Sequence, residues 1–318
     1  MSSLGPIGSM IAATGLWAVS LIAPLILATY TPVEITAGRY LFFGAISAVI
    51  LVARFRHRRL GARRWARAAF YGLAGNLAVS VLVSFAVQST GAEVVIPIIG
   101  LLPICVSVAG SRHLPASTWR RLFVPFVLVT VGLVLVLTVQ STASGRDARL
   151  AWPGAAAAVA AVALWTWYAL SNARFLRDNP TVTSSHWSCA VGVATLVFCL
   201  AIVVTHRFAN RDAFLLHAGQ TGQAWPLFVL VTMILGVGTS FLATAFFNRA
   251  SLALPMGLVG QLIILETVFS IVYVCLYEHT TPPLVQAAGM VLALAGIWLS
   301  ARELLKESVE CGHGFDAG

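Results

Sequence analysis

Ten runs of mostly apolar residues, each long enough to cross a lipid bilayer, restrict the fold of this chain more than any other feature. A helix of about 20 apolar residues covers a hydrocarbon core of about 30 Å, and lipid offers no hydrogen-bond partner to a bare peptide group. Strands of a membrane barrel would alternate apolar and polar side chains, which these runs do not do. The sequence therefore predicts an all-α polytopic membrane protein. Its ten transmembrane helices are expected at about 6–28, 33–54, 66–89, 92–111, 121–140, 152–175, 181–205, 225–249, 253–276 and 281–302.

Composition leaves no room for a separate soluble domain. Of the 318 residues, 59% are hydrophobic and 10% are charged, and the mean hydropathy is +0.89. Ten spans use most of such a chain and leave only short connections. A net charge of +9 would suggest nucleic acid in a soluble protein, but here most arginines lie between the apolar runs, where they meet lipid headgroups. Membrane lipid is therefore an expected partner and nucleic acid is not.

The arginines also predict the orientation. Seven lie between the second and third runs and three between the fourth and fifth, so both loops are expected in the cytoplasm. With ten spans, the N-terminus and the C-terminus are then both cytoplasmic. The N-terminal residues lack the basic region and cleavage site of a secretory signal, so the first run is expected to remain as a span. These features predict a multi-pass protein of a bacterial-type inner membrane.

The two halves of the chain resemble each other. Trp17 and Pro32 are matched by Trp165 and Pro180, 148 residues later. Two stripes of small or polar residues, spaced by four, follow in the third and eighth runs. Matches that keep their order along the chain indicate an internal repeat.

Each repeat contains five spans, an odd number, so the second repeat enters the membrane from the opposite side. We expect a first repeat at 1–150 and a second at 151–318, the latter with a short cytoplasmic tail. Together they form one membrane domain. Inverted repeats allow an inward-open cavity to exchange with an outward-open one, which favours a transporter over a channel or an enzyme.

Glu266 is the only carboxylate deep inside a predicted span. An ionised side chain at that depth costs about 3 kcal/mol, so it needs a partner or a proton. It is either a contact for a substrate ammonium group or a proton-coupling group, or it is a neutral carboxyl that caps a neighbouring helix. Gln261, five residues earlier, is included with it as a candidate substrate contact.

Six further residues in the interiors of predicted helices are candidate substrate contacts. The polar ones belong to the stripes, and the aromatic ones lie away from the membrane interfaces where such side chains usually collect. Close helix packing is the alternative role for the stripes, and ordinary core packing for the aromatic residues. The six are Trp17, Asn76, Ser80, Trp165, Tyr168 and Ser240.

Three other residues inside the spans have an expected structural or gating role. Arg39 lies near an external helix end, where it is expected to reach outward or to pair with Glu34 or Glu93. Pro97 and Pro103 interrupt the fourth span, and such breaks free carbonyl groups that line a cavity or form a hinge.

No motif for chemistry is present in the sequence. It contains no Walker loop, HExxH or GxSxG, and its five cysteines have no metal-ligand spacing. No cofactor, no metal and no enzymatic activity are therefore expected. The function class that remains is secondary transport or facilitated diffusion of a small molecule.

Several segments resemble the drug/metabolite transporter superfamily, in particular its EamA-type ten-helix members. They are PVEITAGRYLFFG after the first span, LLPICVSVAG in the fourth, LETVFSIVYVCLYEHTTPP in the ninth and tenth, and the glycine-containing segments VGLVLVL and AGIWLS. The resemblance implies two inverted five-helix repeats around a central cavity. It also implies export of amino acids, related metabolites or drugs, with aromatic amino acid exporters as the preferred subgroup.

Alternating-access export of amino acids or similar small metabolites is the resulting hypothesis. A multidrug or quaternary-amine exporter is the nearest alternative, because an aromatic cavity with one carboxylate also suits cations. A membrane-embedded enzyme and a channel are more distant alternatives. Oligomeric state, direction of transport and coupling are not encoded in any motif.

Overall fold

A computed structural model describes the chain at residues 4–27, 29–57, 60–90, 95, 98–112, 114–140, 152–209 and 225–313. Within these ranges the chain is helical and contains no strand, as the apolar runs predict. The single helices are α1 (Leu4–Ala18), α2 (Pro32–Phe55), α4 (Leu102–Ser111), α5 (Ala116–Gln140), α6 (Trp152–Asp178), α7 (Ser184–Ala209) and α10 (Leu284–His313).

Three helices consist of more than one segment. Helix α3 runs from Ala62–Tyr71 through a π-helical segment, Gly72–Ala78, into Val79–Thr90, and α8 from Trp225–Ile234 through a second one, Leu235–Leu242, into Ala243–Ala253. A break at Ile263 divides α9 into Met256–Leu262 and Ile264–Glu278.

Eight of the described helices, α2, α3 and α5 to α10, are long and apolar enough to cross a membrane. Helix α1 has 15 residues and α4 has 10, so the predicted first and fourth spans are not single long helices. Short helical segments, Val19–Leu21 and Ala23–Ile26, follow α1. The last helix continues to His313, past the predicted end of the tenth span at 302, so the tail begins later than expected.

The start of α2 is determined by its first residues. Thr31 accepts a hydrogen bond from the Glu34 backbone N–H, and the Glu34 carboxylate accepts one from the Thr31 backbone N–H at 2.8 Å. This capping box satisfies two N–H groups that a helix leaves unpaired. Pro32 occupies the first turn, where its missing N–H costs nothing. The Glu34 carboxylate therefore caps the N-terminus of its own helix.

Glycines bring the helices into backbone contact at several crossings. A Cβ atom at Gly132 of α5 would lie 2.6 Å from the Gly289 carbonyl oxygen of α10, and one at Gly260 of α9 would lie 2.7 Å from the Cα atom of Ser107 in α4. Small residues allow membrane helices to approach this closely. The α4–α9 crossing is joined further by a hydrogen bond of 2.6 Å from the Ser107 hydroxyl to the Gly257 carbonyl.

A buried polar network ties three helices together near the end of α6. The Asn172 side chain donates to the Asn248 amide oxygen on α8 at 2.7 Å and accepts from the Trp187 indole N–H on α7 at 2.7 Å. The Asn248 amide then donates to the Ser188 hydroxyl at 3.0 Å. One helical turn beyond, Arg177 donates to backbone carbonyls at the end of α8. These bonds fix α6, α7 and α8 relative to one another.

Candidate functional site

A cavity of about 180 Å³ lies between α1, α2, α3, α6 and α8. Six of the eight substrate contacts predicted from the sequence contribute to its wall, although they come from four separate helices. The six are Trp17, Asn76, Ser80, Trp165, Tyr168 and Ser240. The structure thus brings these residues together at one place, and their contact with a substrate stays a prediction.

One side of the cavity is aromatic. The rings of Trp17 and Trp165 meet edge to face with centroids 6.0 Å apart, and Phe247 lies 5.5 Å from Trp17 and 6.0 Å from Trp165. Tyr168 adjoins Trp165 at 6.3 Å. Aromatic rings in these offset arrangements form a rigid apolar surface with specific geometry.

The other side is polar. The Tyr40 hydroxyl donates to the Asn76 carbonyl at 3.2 Å and lies 2.8 Å from the Ser80 hydroxyl. The Asn76 amide donates to the Thr195 hydroxyl on α7 at 3.0 Å. Hydrogen bonds among these groups orient the side chains before any ligand arrives.

Arg39 lies in the cavity wall, which sequence reasoning missed. Its Nε–H donates to the Ser240 hydroxyl on α8 at 2.7 Å. The expected outward orientation is therefore wrong, and the expected pairing with Glu34 is wrong because Glu34 caps α2. Glu93, the other expected partner, lies outside the described residues. The sequence held one usable signal, since Thr31 and Glu34 have the spacing of a capping box.

The two π-helical segments lie directly beside the cavity. Asn76 belongs to the first and Ser240 to the second. Two glycines in these segments make room for cavity residues: a Cβ atom at Gly75 would lie 2.6 Å from the Tyr168 ring, and one at Gly236 would lie 2.6 Å from the Arg39 carbonyl oxygen. Segments of this kind occur frequently at functional sites.

Gln261 and Glu266, the other two predicted contacts, do not line the cavity. Gln261 is 1% exposed, and neither polar atom of its side chain has a hydrogen-bond partner among the described residues. Glu266 begins the second segment of α9, is half-buried, and interacts electrostatically with Arg39. Their contact with a substrate remains a prediction.

Of the two prolines predicted to act as a gate or hinge, Pro97 and Pro103, the structure describes only Pro103. Pro103 is buried in the first turn of α4, directly after a turn at residues 100–101, so a break in the chain does precede it. Pro97 lies outside the described residues. A gating role for either proline is untested.

Comparison with known proteins identifies the class of this molecule as a membrane transporter. Residues 3–138 match the EamA-like transporter family. Inner membrane protein YtfF of Escherichia coli (strain K12) is 30% identical over 298 residues, which cover 90% of this chain and 92% of that protein. The chain belongs to the EamA-like transporter family, within the drug/metabolite transporter superfamily.

A solved crystal structure of another protein has a similar fold. It matches with a TM-score of 0.73 over 95% of this chain and 99% of that chain, at 16% sequence identity. At that identity the similarity supports the arrangement of helices alone.

Proposed function

We propose that this protein is a secondary transporter or facilitator that carries amino acids or related small metabolites across the inner membrane by alternating access. The cavity carries the proposal, since it combines an aromatic surface with oriented polar groups, and four of the five helices around it, α2, α3, α6 and α8, are of membrane length. The related YtfF is named an inner membrane protein, which supports the proposed location. Export is the proposed direction.

The mechanism requires two inverted repeats, proposed at 1–150 and 151–318 with five membrane-spanning segments each. The pairing of helices supports this division. Helix α1 packs on α8 and α9, and α6 packs correspondingly on α3 and α4. Helices α2, α4 and α5 each pack on their counterparts, α7, α9 and α10. The family match, which ends at residue 138, and the π-helical segments in both α3 and α8 fit the same division.

Closure at one end of the bundle supports alternating access. There α4 and the first segment of α9 are in backbone contact through Gly110 and Gly260, and the Ser107 hydroxyl joins them. Under the proposed topology, with both termini cytoplasmic, this is the cytoplasmic end. A carrier must open such a contact in one state and form it in the other.

Transport into liposomes tests the proposal. Purified protein is reconstituted, and the movement of labelled amino acids is followed with and without a proton gradient. We expect saturable transport of at least one amino acid, above the rate in empty liposomes. Failure to move any amino acid or related metabolite would remove the proposal and leave the family assignment intact. Conductance far above carrier turnover in a single-channel recording would indicate a channel instead.

Replacing Trp165 with alanine is expected to raise the KM for the transported solute about tenfold, equivalent to about 1.4 kcal/mol of binding. Truncation removes the ring that contacts Trp17, Tyr168 and Phe247, and with it much of the aromatic surface. Initial rates over a range of solute concentrations measure the effect.

Trp152→Ala is the matched control, since Trp152 lies at the start of the same helix and is 75% exposed. Its KM is expected to equal that of the unaltered protein. Equal increases in the two variants would place the effect of Trp165 outside the cavity.

A further inference from the structure

We propose that Arg39 binds an anionic group of the transported solute, so that the substrates are small apolar carboxylates and the ammonium group of an amino acid is dispensable. This inference rests on the proposed transport function and specifies its substrate class. Among the described residues that line the cavity, Arg39 is the only charged one. A cavity whose wall carries one cation and no carboxylate attracts an anion and repels a cation.

The geometry of the guanidinium group supports this role. Its Nε–H is used by Ser240, whose hydroxyl lies 2.7 Å away, and this bond holds the group in the wall. Within the described part of the chain, its two terminal nitrogens donate no hydrogen bond. Arginine presents its donors as a planar fork that matches a carboxylate, so these two nitrogens are the free binding face.

Glu266 interacts electrostatically with Arg39 from outside the cavity wall that the described residues form. It is the carboxyl group that interacts electrostatically with Arg39, yet it does not belong to the wall. A carboxyl group near an arginine in a membrane-spanning helix stabilises its positive charge when no ligand is bound. Because Glu266 is not in the wall, a positively charged solute finds no carboxylate there. This separates the proposal from quaternary-amine export, which would use Glu266 as a direct contact.

The size of the solute follows from the position of the two surfaces along α8. Ser240, which holds Arg39, and Phe247, which belongs to the aromatic surface, are seven residues apart. At the α-helical rise of about 1.5 Å per residue, the backbone positions of Ser240 and Phe247 are about 10 Å apart along α8. A solute with a carboxylate at one end and an apolar or aromatic group a few atoms away fits both surfaces at once.

Transport of three solutes that share a phenyl group tests the inference. They are phenylalanine, 3-phenylpropanoate, which lacks the ammonium group, and phenylalaninamide, which lacks the carboxylate. In liposomes containing the unaltered protein, we expect transport of the first two above the rate in empty liposomes, and none of the third. Unlabelled 3-phenylpropanoate should inhibit phenylalanine transport, whereas phenylalaninamide should not.

Variants of Arg39 test whether the preference for carboxylates depends on this residue. Arg39→Gln is expected to lower kcat/KM for both carboxylates at least tenfold, and Arg39→Lys is expected to retain more activity because it keeps the charge. Trp17 and Trp165, two of the nine tryptophans, lie in the cavity wall, so binding of 3-phenylpropanoate should change the tryptophan fluorescence, and its apparent affinity should weaken in Arg39→Gln by a similar factor. The competition experiment on the unaltered protein needs no variant, so it decides the matter even if Arg39→Gln does not fold.

Three outcomes would overturn the inference. They are inhibition by the amide as strong as inhibition by the carboxylate, transport of the amide by the unaltered protein, and unchanged carboxylate transport in Arg39→Gln. If the unaltered protein moves neither these solutes nor any other amino acid, the proposed transport function fails, which is a different result.

Discussion

Replacing Gly260 with valine is expected to abolish transport and to lower the thermal midpoint of the purified protein by several degrees. A Cβ atom at this position would lie 2.7 Å from the Ser107 Cα atom and 2.8 Å from the Val106 carbonyl carbon. Both are backbone atoms of α4, so neither can move aside as a side-chain end would. Overpacking in a tight core costs about 1–3 kcal/mol, and here it also pushes α4 and α9 apart at a point of backbone contact.

Gly8→Val provides the control for this substitution. Gly8 lies in α1, and a Cβ atom there would meet nothing within 4 Å. Valine at Gly8 should leave transport and the thermal midpoint close to those of the unaltered protein. Thermal unfolding in detergent and initial transport rates measure both variants. Full transport by Gly260→Val would show that the α4–α9 contact is not needed for the transport cycle.

Replacing Asn172 with leucine is expected to reduce the free energy of unfolding by about 2 kcal/mol. Asn172 is fully buried, donates to Asn248 and accepts from the Trp187 indole. Leucine of similar size makes neither bond, and it leaves an amide oxygen and an indole N–H without these partners in the interior. An unsatisfied buried polar group costs more than a hydrogen bond gains. Denaturant unfolding in mixed micelles measures the change.

Asn179→Leu is the comparison for this loss. Asn179 follows the end of α6 and is half-buried, and its side-chain amide donates a hydrogen bond of 2.9 Å to the Phe175 carbonyl. Its replacement is expected to cost less than about 1 kcal/mol, because water can reach the groups that lose a partner. If the two variants lose equal stability, the network around Asn172 does not hold α6, α7 and α8 together.

The helical class was predictable because lipid permits so few alternatives for a run of apolar residues. Helix interruptions were less predictable. Nothing in the hydropathy of residues 72–78 or 235–242 distinguishes a π-helical segment from an α-helix. Pro103 did indicate a break, and α4 begins beside it at Leu102.

The candidate site was predictable in part. Polar residues inside apolar helices are favoured to point inward because they are costly in contact with lipid, and aromatic residues away from the interfaces are candidates for a cavity wall; this reasoning selected Ser240 and Trp17. It missed Arg39, since distance from a helix end cannot reveal a partner 201 residues away. It also grouped Glu266 with the cavity, although the depth of a carboxylate does not determine which side of a helix it occupies.

The two π-helical segments make the cavity wall sensitive to changes in chain length. A π turn contains one residue more than an α turn, so a deletion of one residue in Gly72–Ala78 would restore a regular helix. The later residues of that helix would nearly keep their present orientation, because the extra residue is absorbed within the π turn itself. Ser80 would keep its place in the cavity wall, whereas Asn76, which lies within the segment, would change position. Insertion or deletion of single residues at these two points therefore offers a route to altered selectivity that leaves the rest of the bundle in register.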